Sequence, residues 1–304
     1  MKFHPIFLAL APCAAAQCSR SFLVDATAKY VAAQTEGKPA ILAAIAADNL
    51  NYTESDKTID IKTGVLAQPI KIDHNRSIHD TTLCATFTEL IAAELAKPFV
   101  IGTRMVFTNN KASLIETIAT KPGDWAFNAT GYLHWYVPLW TSSLPFLPLI
   151  EVRWTHNATR NSLEKWDPIA LERRDTREVI QAAGDAYFNR FNDASFVVPF
   201  GTPCARLEGG AYTDSRGSAN NTCGLGLPST ITVTNRRYVV DEEMGAVAIY
   251  LGFPGLDRSV GQKPMPDSHF FRVEGGAIRY IHTVSTCENA GCGMNGTAVP
   301  GTPT

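Results

Sequence analysis

The stretch His269-Phe-Phe-Arg-Val-Glu-Gly-Gly-Ala-Ile-Arg-Tyr-Ile-His282 decides the fold of the last third of the chain. Two runs in which apolar and polar residues alternate flank Gly275-Gly276. These two glycines form a loop with the tolerance for positive φ that tight hairpins require. Pairing Glu274 with Ala277 predicts that His269 lies directly across from His282. The face predicted to point inward carries His269, Phe271, Val273, Ile278, Tyr280 and His282. We expect the chemistry on this mostly apolar face, beside its two histidines.

The composition indicates a globular chain without a nucleic-acid or membrane partner. At 304 residues and 45% hydrophobic content, the chain can bury a full core as one large domain or two intimate halves. A net charge of −2 gives no electrostatic reason to expect nucleic acid or an anionic membrane surface. No segment after the first residues reaches the ~20 apolar residues that a membrane span needs.

Residues 1–16 have the pattern of a secretory signal peptide. Lys2 and His4 precede an apolar run, and Ala14-Ala-Ala16 provides a small-residue cleavage site. The mature chain would then be glycosylated in the secretory pathway, on asparagines that we expect at exposed turns. The acceptor sequons are at Asn51, Asn75, Asn128, Asn157, Asn220 and Asn295.

Cysteine usage agrees with secretion. Removal of residues 1–16 discards Cys13 and leaves six cysteines, an even number that predicts three disulfides among fifteen possible connectivities. The pairs that we predict are Cys204–Cys223 and Cys287–Cys292 as local links and Cys18–Cys84 as the long one. No C-x2-C pair is present, so no metal site is predicted.

The order of helix and strand patterns repeats once along the chain. Helical patterns over 21–35 and 39–49 precede strand patterns from 52 to about 140, and a helix over 175–192 precedes a second set of strands. This order predicts an α+β fold in two halves, 17–150 and 151–304, packed as one unit. It resembles a tandem pair of the cone-shaped α+β barrels that ketosteroid isomerase and scytalone dehydratase use singly. In each cone the helices would cover one side of a curved antiparallel sheet and leave a deep apolar pocket.

Searches for strong catalytic motifs find none. The sequence has no H-E-x-x-H, G-x-S-x-G, P-loop, dinucleotide fingerprint or C-x-x-C. We therefore expect no metal, nucleotide or organic cofactor. A serine triad stays open, because its members are recognised by geometry and not by spacing.

The residues with the strongest catalytic potential are His269 and His282. Imidazole exchanges protons near neutral pH, so a pair across two strands suits general acid–base catalysis. The alternative is a local hydrogen-bonded pair at the rim of the sheet. Arg206 and Tyr280 are candidates for stabilising a ligand oxygen, although Arg206 and Glu208 alternate onto one face and could simply form a salt bridge.

Aromatic residues suggest the walls of a ligand site. The dense cluster near residues 125–146 suits a pocket wall or lid, and equally suits packing between the two halves. If 127–137 is a strand, Tyr132 and His134 share a face and Trp135 lies on the other. The substrate-binding candidates are Tyr52, Tyr132, His134, Trp135, Trp140 and Phe271.

Four segments resemble a fungal family of secreted proteins, most of which have no assigned activity. They are Arg174-Asp-Thr-Arg, Val198-Pro-Phe-Gly-Thr-Pro-Cys-Ala-Arg-Leu-Glu-Gly-Gly210, Arg236-Arg-Tyr-Val-Val-Asp-Glu and Pro266-Asp-Ser-His-Phe-Phe-Arg-Val. The family includes hetero-Diels–Alderases of tropolonic sesquiterpene biosynthesis. The resemblance implies dehydration of a hydroxymethyl-tropolone-like polyketide to an o-quinone methide, which adds to a humulene-type terpene without a cofactor. It transfers no catalytic residue to this chain.

Two other functions stay open at this point. One is a secreted protein that binds an apolar ligand, or acts as an effector, without turnover. The other is a dehydratase or hydrolase on the same fold. A homodimer is a further open alternative.

Overall fold

The computed structural model of the protein describes residues 18–94, 96–136, 164–214 and 220–292. Several predictions concern residues outside these ranges: the signal peptide at 1–16, the boundary at residue 150, Trp140, Asn157 and Asn295. The division of the chain at residue 150 therefore stays a prediction.

The first unit consists of one helix and a six-stranded sheet. Ser19 begins α1 by accepting a hydrogen bond from Phe22 N, and Gly37 ends it in the left-handed region, with φ 63°. The elements are α1 (Arg20–Glu36), a 3-10 helix (Pro39–Ala44), β1 (Ala46–Glu54), β2 (Lys57–Thr58), a 3-10 helix (Val65–Ala67), β3 (His74–Asp80), β4 (Ala85–Ala92), β5 (Phe99–Thr108) and β6 (Lys111–Thr120). A short helix, α2 (Ala129–Tyr136), follows.

The second unit repeats this plan. Thr176 begins its helix by accepting a hydrogen bond from Val179 N. The elements are a 3-10 helix (Leu171–Arg173), α3 (Arg177–Asn192), β7 (Phe200–Glu208), β8 (Ala211–Tyr212), β9 (Thr234–Asp241), β10 (Ala246–Phe253), a 3-10 helix (Arg258–Val260), β11 (Met265–Glu274) and β12 (Ala277–Ser285).

The two sheets have the same strand order. The first runs β2-β1-β6-β5-β4-β3 and the second β8-β7-β12-β11-β10-β9. In each sheet the first long strand lies parallel to the last, β1 to β6 and β7 to β12, and every other pair is antiparallel. The predicted α+β fold, with two helix-packed sheets and disulfide links, is confirmed, and each sheet is mixed rather than purely antiparallel.

The duplication extends to the β-bulges. In β5–β6, Val106 pairs with Leu114 and Phe107 with Ala112, so Ser113 is the extra residue. In β11–β12 the extra residue is Arg279. The parallel pairs shift register at matching places, between Ala46 and Asn51 and between Phe200 and Ala205. Positions in one unit can therefore be equated with positions in the other.

The bulge at Arg279 overturns one prediction. Because the register shifts by one residue, His269 pairs with Thr283 and His282 pairs with Phe270. A slip of one residue moves every following side chain to the opposite face of the sheet. The prediction that His269 and His282 face each other is therefore wrong, and the two histidines point to opposite sides of the second sheet.

The two units join through reciprocal ion pairs. Asp80, at the end of β3, accepts hydrogen bonds from Nη1 and Nη2 of Arg177, both at 2.7 Å. Asp241, at the end of β9, accepts them from Nη1 and Nη2 of Arg20, at 2.9 and 3.0 Å. Each carboxylate also accepts a backbone N–H from the opposite unit, Val240 N for Asp80 and His79 N for Asp241. The contact is thus a pseudo-twofold one, with the first residue of each helix bound to the far sheet.

Each sheet has a helix on one face and the other sheet on its second face. Phe87 of β4 and Phe270 of β11 meet in the layer between the sheets, with ring centroids 5.0 Å apart. Trp166 stacks on Phe270 in the same layer. On the outer faces, Leu23 of α1 and Ile180 of α3 are fully buried. The layer between the sheets is therefore shared by both units, whereas α1 and α3 each pack on the sheet of their own unit.

Two predicted elements are wrong. The Ala-rich stretch predicted as a helix over 39–49 is a 3-10 helix that leads into β1, whose polar residues pair with β6. The stretch predicted as a strand over 127–137 contains α2, which Asn128 begins by accepting a hydrogen bond from Gly131 N. Tyr132 and His134 therefore do not share a strand face.

The predicted disulfides are confirmed. Cys18–Cys84, Cys204–Cys223 and Cys287–Cys292 are all formed. Among the predicted glycosylation sites, Asn51 and Asn75 are exposed but lie within strands, where we expected turns, and Asn220 is exposed on a bend. Asn128 is half-buried and its side chain accepts a hydrogen bond from Gly131 N, so it is not the exposed turn residue that we expected. In the part of the chain that the structure describes, no helix is long and apolar enough to cross a membrane.

Candidate functional site

A cavity of about 370 Å³ lies in the cone of the second unit, between α3 and the concave face of the sheet. One wall is apolar and includes Phe191, Ile231, Phe253 and Leu256. The other end is polar and carries Arg206, Glu208, Asp267, His269, Thr283 and Ser285. A volume of this size falls within the roughly 300–1,000 Å³ of small-molecule sites.

Asp267 and His269 form a buried dyad at the polar end. His269 Nδ1 lies 2.6 Å from Asp267 Oδ1, and the Ser285 hydroxyl donates to Asp267 Oδ2. Asp267 is fully buried and His269 is 3% exposed. Because Asp267 engages Nδ1, the imidazole nitrogen of His269 that is left for proton exchange with a ligand is Nε2.

The position of the dyad follows from strand alternation. Asp267 and His269 are two residues apart on β11, so both side chains lie on the concave face of the sheet. Ser285, on the neighbouring strand β12, pairs directly with Asp267 of β11. Because Ser285 bonds the carboxylate and not the imidazole, the three residues are not arranged as a serine triad.

Tyr187 of α3 closes the polar end from the helix side. Its ring centroid lies 5.7 Å from that of His269, and its hydroxyl accepts a hydrogen bond from Arg206 Nη1 at 3.3 Å. Burial raises the pKa of Tyr187 well above its usual range, although Arg206 opposes the shift. The phenol therefore keeps its proton and can donate it in a hydrogen bond.

Arg206 is held by groups of the protein itself. Its Nη2 donates to Leu225 O, and its Nε lies 3.4 Å from Glu208 Oε1. The predicted salt bridge between Arg206 and Glu208 is thus confirmed. Arg206 polarises Tyr187, and its charge is balanced by Glu208.

One cavity wall comes from outside the second unit. Trp125 lies in the segment between β6 and α2 and lines the cavity beside Leu256. The loop closed by Cys287–Cys292 holds this segment, since Cys287 N donates to Asp124 Oδ1 at 2.7 Å and Gly291 N donates to Gly123 O at 2.5 Å. The disulfide loop that follows β12 therefore positions Trp125 over the cavity.

A second group of titratable residues lies between the two sheets. His282 Nδ1 lies 3.0 Å from Glu89 Oε2, and His282 Nε2 lies 2.7 Å from Glu164 Oε2. Burial alone would lower the pKa of His282, but Glu164 and Glu89 raise it to about 9. Tyr132 donates to Glu89 and Trp166 to Glu164. This network is a charged link between the units, away from the cavity.

The structure brings only some of the predicted site residues together. His269 and Arg206 line the cavity, and Phe271 packs behind them with its ring 5.4 Å from that of Tyr187. His282, Tyr280 and Tyr132 lie in the layer between the sheets, where the bulge and α2 place them. Tyr52 lies in the first unit, bonded to Glu54, and His134 lies on α2. The side chain of Trp135 and all of Trp140 are outside the described residues.

Four cavity residues were not predicted from the sequence: Asp267, Ser285, Tyr187 and Thr283. The pattern Asp267-x-His269 within a strand was a usable signal, because residues two apart share a face. Tyr187 could only be recognised once α3 was placed over the sheet. Within the described ranges, no group of three or more His, Cys, Asp or Glu side chains could hold a metal ion.

Comparisons with known proteins find one family profile that matches part of the chain and solved structures that are weakly similar to it. A family profile described as "Domain of unknown function (DUF8021)" matches residues 173–285. No curated protein matches the chain. An NTF-2 like protein of unknown function from Burkholderia xenovorans LB400 is 17% identical, with 39% of this chain and 95% of that chain covered and a TM-score of 0.28. A DUF4783 family protein from Bacteroides ovatus ATCC 8483 is 14% identical, with 31% and 94% covered and a TM-score of 0.24.

Proposed function

We propose that the protein is a cofactor-independent enzyme that performs general acid–base chemistry on a small, largely apolar molecule in the cavity of the second unit. The observation that carries the proposal is the Asp267–His269 dyad, buried and hydrogen-bonded at 2.6 Å, at the polar end of a cavity with an apolar wall. A histidine oriented by a carboxylate is a typical general base, and the burial of both side chains strengthens the contact between them.

In this proposal His269 Nε2 takes a proton from the ligand and Asp267 stabilises the imidazolium that forms. Tyr187, polarised by Arg206, donates to the ligand oxygen on which negative charge develops. Proton transfer by a positioned side chain contributes roughly 10²- to 10⁴-fold to a rate. The same groups suit dehydration, in which a hydroxyl leaves as water.

A finer form of the proposal is the dehydration-coupled cycloaddition that the family resemblance implies. His269 would take the ring-hydroxyl proton of a hydroxymethyl tropolone. The electron pair would form the ring carbonyl and the exocyclic C=C bond, and the side-chain hydroxyl would leave as water on accepting the proton that His269 has taken. The o-quinone methide would then form one C–C and one C–O bond with a humulene-type alkene. The apolar wall around Phe253 and Leu256 supports a terpene partner.

We infer that the protein reaches this function in the secretory pathway. Three disulfides support an oxidising compartment, where such bonds form and persist. The signal peptide, glycosylation and any homodimer stay predictions within this proposal.

The experiment is an incubation of purified, glycosylated protein with a hydroxymethyl tropolone and humulene, followed by mass spectrometry. We expect adduct formation faster than without protein, and a loss of at least 10²-fold in His269→Gln. His79→Gln, on the first unit, is the control and should keep the activity. Equal rates in the wild type and His269→Gln would overturn the role of the dyad. A rate equal to the background would overturn the cycloaddition.

The coarser proposal has its own test. Enolisable ketones such as 2-acetylnaphthalene exchange their α-protons when a general base acts on the bound molecule. We expect the wild-type protein to accelerate deuterium incorporation from D2O, measured by mass spectrometry, and His269→Gln to lose the acceleration. No acceleration by the wild type would overturn general-base chemistry at this site.

A further inference from the structure

In the interior of the first unit, three hydroxyl groups are joined in a row by hydrogen bonds. Tyr30 Oη lies 2.6 Å from Thr103 Oγ1, and Thr103 Oγ1 lies 3.0 Å from Thr117 Oγ1. All three residues are buried. Each hydroxyl therefore has a protein partner, as buried polar groups require.

The second unit has the same chain with its middle member replaced. The strand registers equate Thr103 with His269 and Thr117 with Thr283, because each pair is directly opposed across the last two long strands. Tyr187 is the tenth residue after the first of α3, as Tyr30 is in α1. The positions of the first unit's hydrogen-bonded tyrosine and two threonines are therefore occupied in the second unit by Tyr187, His269 and Thr283.

His269 does not join Tyr187 to Thr283 by hydrogen bonds as Thr103 joins Tyr30 to Thr117. His269 Nδ1 turns to Asp267, at the position that Ile101 occupies in the first unit. Thr283 Oγ1 is left without a hydrogen-bond partner among the described residues, although Thr283 is only 4% exposed and lines the cavity. A buried hydroxyl without a partner costs roughly 1–3 kcal/mol, so such a group is rare unless something binds it.

We propose that Thr283 and Tyr187 form a seat for one uncharged oxygen of the ligand, a carbonyl or hydroxyl group, next to His269 Nε2. The ligand oxygen would contact Tyr187 and Thr283 as the Thr103 hydroxyl contacts Tyr30 and Thr117 in the first unit. This inference rests on the proposed function and deepens it by naming the class of ligand: an apolar molecule with a neutral oxygen at one end.

The charges around the seat favour a neutral ligand over an anionic one. Arg206 is the one cation lining the cavity within the described ranges. Its Nη1 and Nη2 donate to Tyr187 and Leu225, and its Nε makes no hydrogen bond, although the Glu208 carboxylate balances its charge from 3.4 Å. Asp267 and Glu208 add two carboxylates to the same end. A ligand carboxylate would gain no free cation and would face both of these charges, so a neutral oxygen is favoured.

The test compares probes that share one ring system and differ only at the oxygen. The probes are 2-acetylnaphthalene, its isostere 2-isopropenylnaphthalene, which replaces C=O by C=CH2, and 2-naphthoate. Their dissociation constants are measured by displacement of the neutral fluorophore N-phenyl-1-naphthylamine. We expect the ketone to bind roughly 3- to 10-fold more tightly than the alkene, which is the net effect of about one hydrogen bond. We expect 2-naphthoate to bind at least ~10-fold more weakly than the ketone.

Variants connect this preference to the seat. Thr283→Val should reduce the ketone-to-alkene ratio at least ~2-fold, and Thr283→Val with Tyr187→Phe should bring it to about 1. Thr283→Ser keeps the hydroxyl and should keep the ratio. Thr117→Val makes the same change at the equivalent position of the first unit and should leave the ratio unchanged. Circular dichroism confirms that each variant is folded.

Several results would overturn the seat. They are an unchanged ratio in Thr283→Val, a naphthoate affinity above that of the ketone, or no binding of any probe by the folded wild-type protein. These outcomes are separable from failure of the proposed function. If His269→Gln loses turnover but no ratio depends on Thr283, only the seat is wrong. If the ratio depends on Thr283 but the wild type turns nothing over, only the acid–base function is wrong.

Discussion

The two units share their strand order, their pairing directions and the bulge between their last two long strands, but they differ in what their cones contain. In the first, Tyr30, Thr103 and Thr117 satisfy one another. In the second, the equivalent positions line a cavity of about 370 Å³ and present a histidine–aspartate dyad. The same fold therefore carries mutually hydrogen-bonded hydroxyl groups at these positions in one unit, and a cavity with a buried dyad in the other.

The same comparison explains the roles of the two histidines on β12 and β11. His282 is equivalent to Glu116, which forms ion pairs with Arg104 and Arg237 in the layer between the sheets. Both positions serve the contact between the units. His269, by contrast, is equivalent to Thr103 in the cone interior. The position of each histidine relative to the sheet separates a structural role from the proposed catalytic one.

The largest effect should come from converting the second cone to the composition of the first. The triple variant Asp267→Ile, His269→Thr, Ser285→Ala gives the second unit the residues found at Ile101, Thr103 and Ala119. We expect a loss of at least ~10² in the rate of adduct formation, because the dyad is removed. Mass spectrometry of the tropolone and humulene incubation measures it. Retained activity in the triple variant would place the chemistry elsewhere in the chain.

The next effect concerns the contact that the two units make alike. Asp241→Ala and Asp80→Ala each remove a buried carboxylate with a bidentate arginine, so each should lower the free energy of unfolding by about 3–5 kcal/mol. Urea unfolding measures both values. Glu36→Ala, which breaks the exposed pair with Lys38, is the control and should cost less than about 1 kcal/mol. A large difference between the two aspartate variants would contradict the pseudo-twofold account.

The pH dependence of the free energy of unfolding should distinguish the contribution of His282 from that of Glu116. Because the folded-state pKa of His282 is about 9, above its ordinary 6.5, its protonation stabilises the fold. The contribution is complete below about pH 6.5 and is lost as the pH rises through about 9, a change of roughly 3 kcal/mol. Urea unfolding at pH 7 and pH 10 should show this loss in the wild type and in Glu116→Gln. His282→Gln should lack it, and an equal loss in His282→Gln would contradict the charged link.

The smallest effect should come from opening the Cys287–Cys292 loop, which holds the segment that carries Trp125. The double variant Cys287→Ser, Cys292→Ser opens a short loop, and we expect a loss of roughly 2 kcal/mol in the free energy of unfolding. With Trp125 less firmly held, affinity should fall more for a probe that fills the cavity than for a small one. Displacement of N-phenyl-1-naphthylamine by humulene and by cyclohexanone measures the two affinities. An equal change for both would mean that the disulfide loop acts on stability alone.

The α+β plan, the helices α1 and α3 and all three disulfides could be predicted from the sequence. Capping residues, alternation and the short spacings within Cys204–Cys223 and Cys287–Cys292 are local signals. Cys18–Cys84, 66 residues apart, is the pair that remains once the two local pairs are made. The pairing of β11 with β12 could not be predicted, because Arg279 contains no local sign that it is the extra residue of a bulge. That one residue decided which histidine entered the cone.

The candidate site was predicted only in part for a related reason. His269 and Arg206 could be chosen as polar residues on apolar strands. Thr283 became significant only when its partner was known to be absent, and Tyr187 only when α3 was placed against β11. Both facts depend on how distant segments pack. Likewise α2 replaced a predicted strand because the capping by Asn128 is a helical signal that the aromatic pattern obscured.

The most direct test is a crystal structure of the protein with bound 2-acetylnaphthalene. We predict the ligand in the second cone, with its carbonyl oxygen within about 3.2 Å of Tyr187 Oη or Thr283 Oγ1 and next to His269, and no ligand in the first cone. A ligand bound between the two sheets, beside His282, or in the first cone would contradict the account.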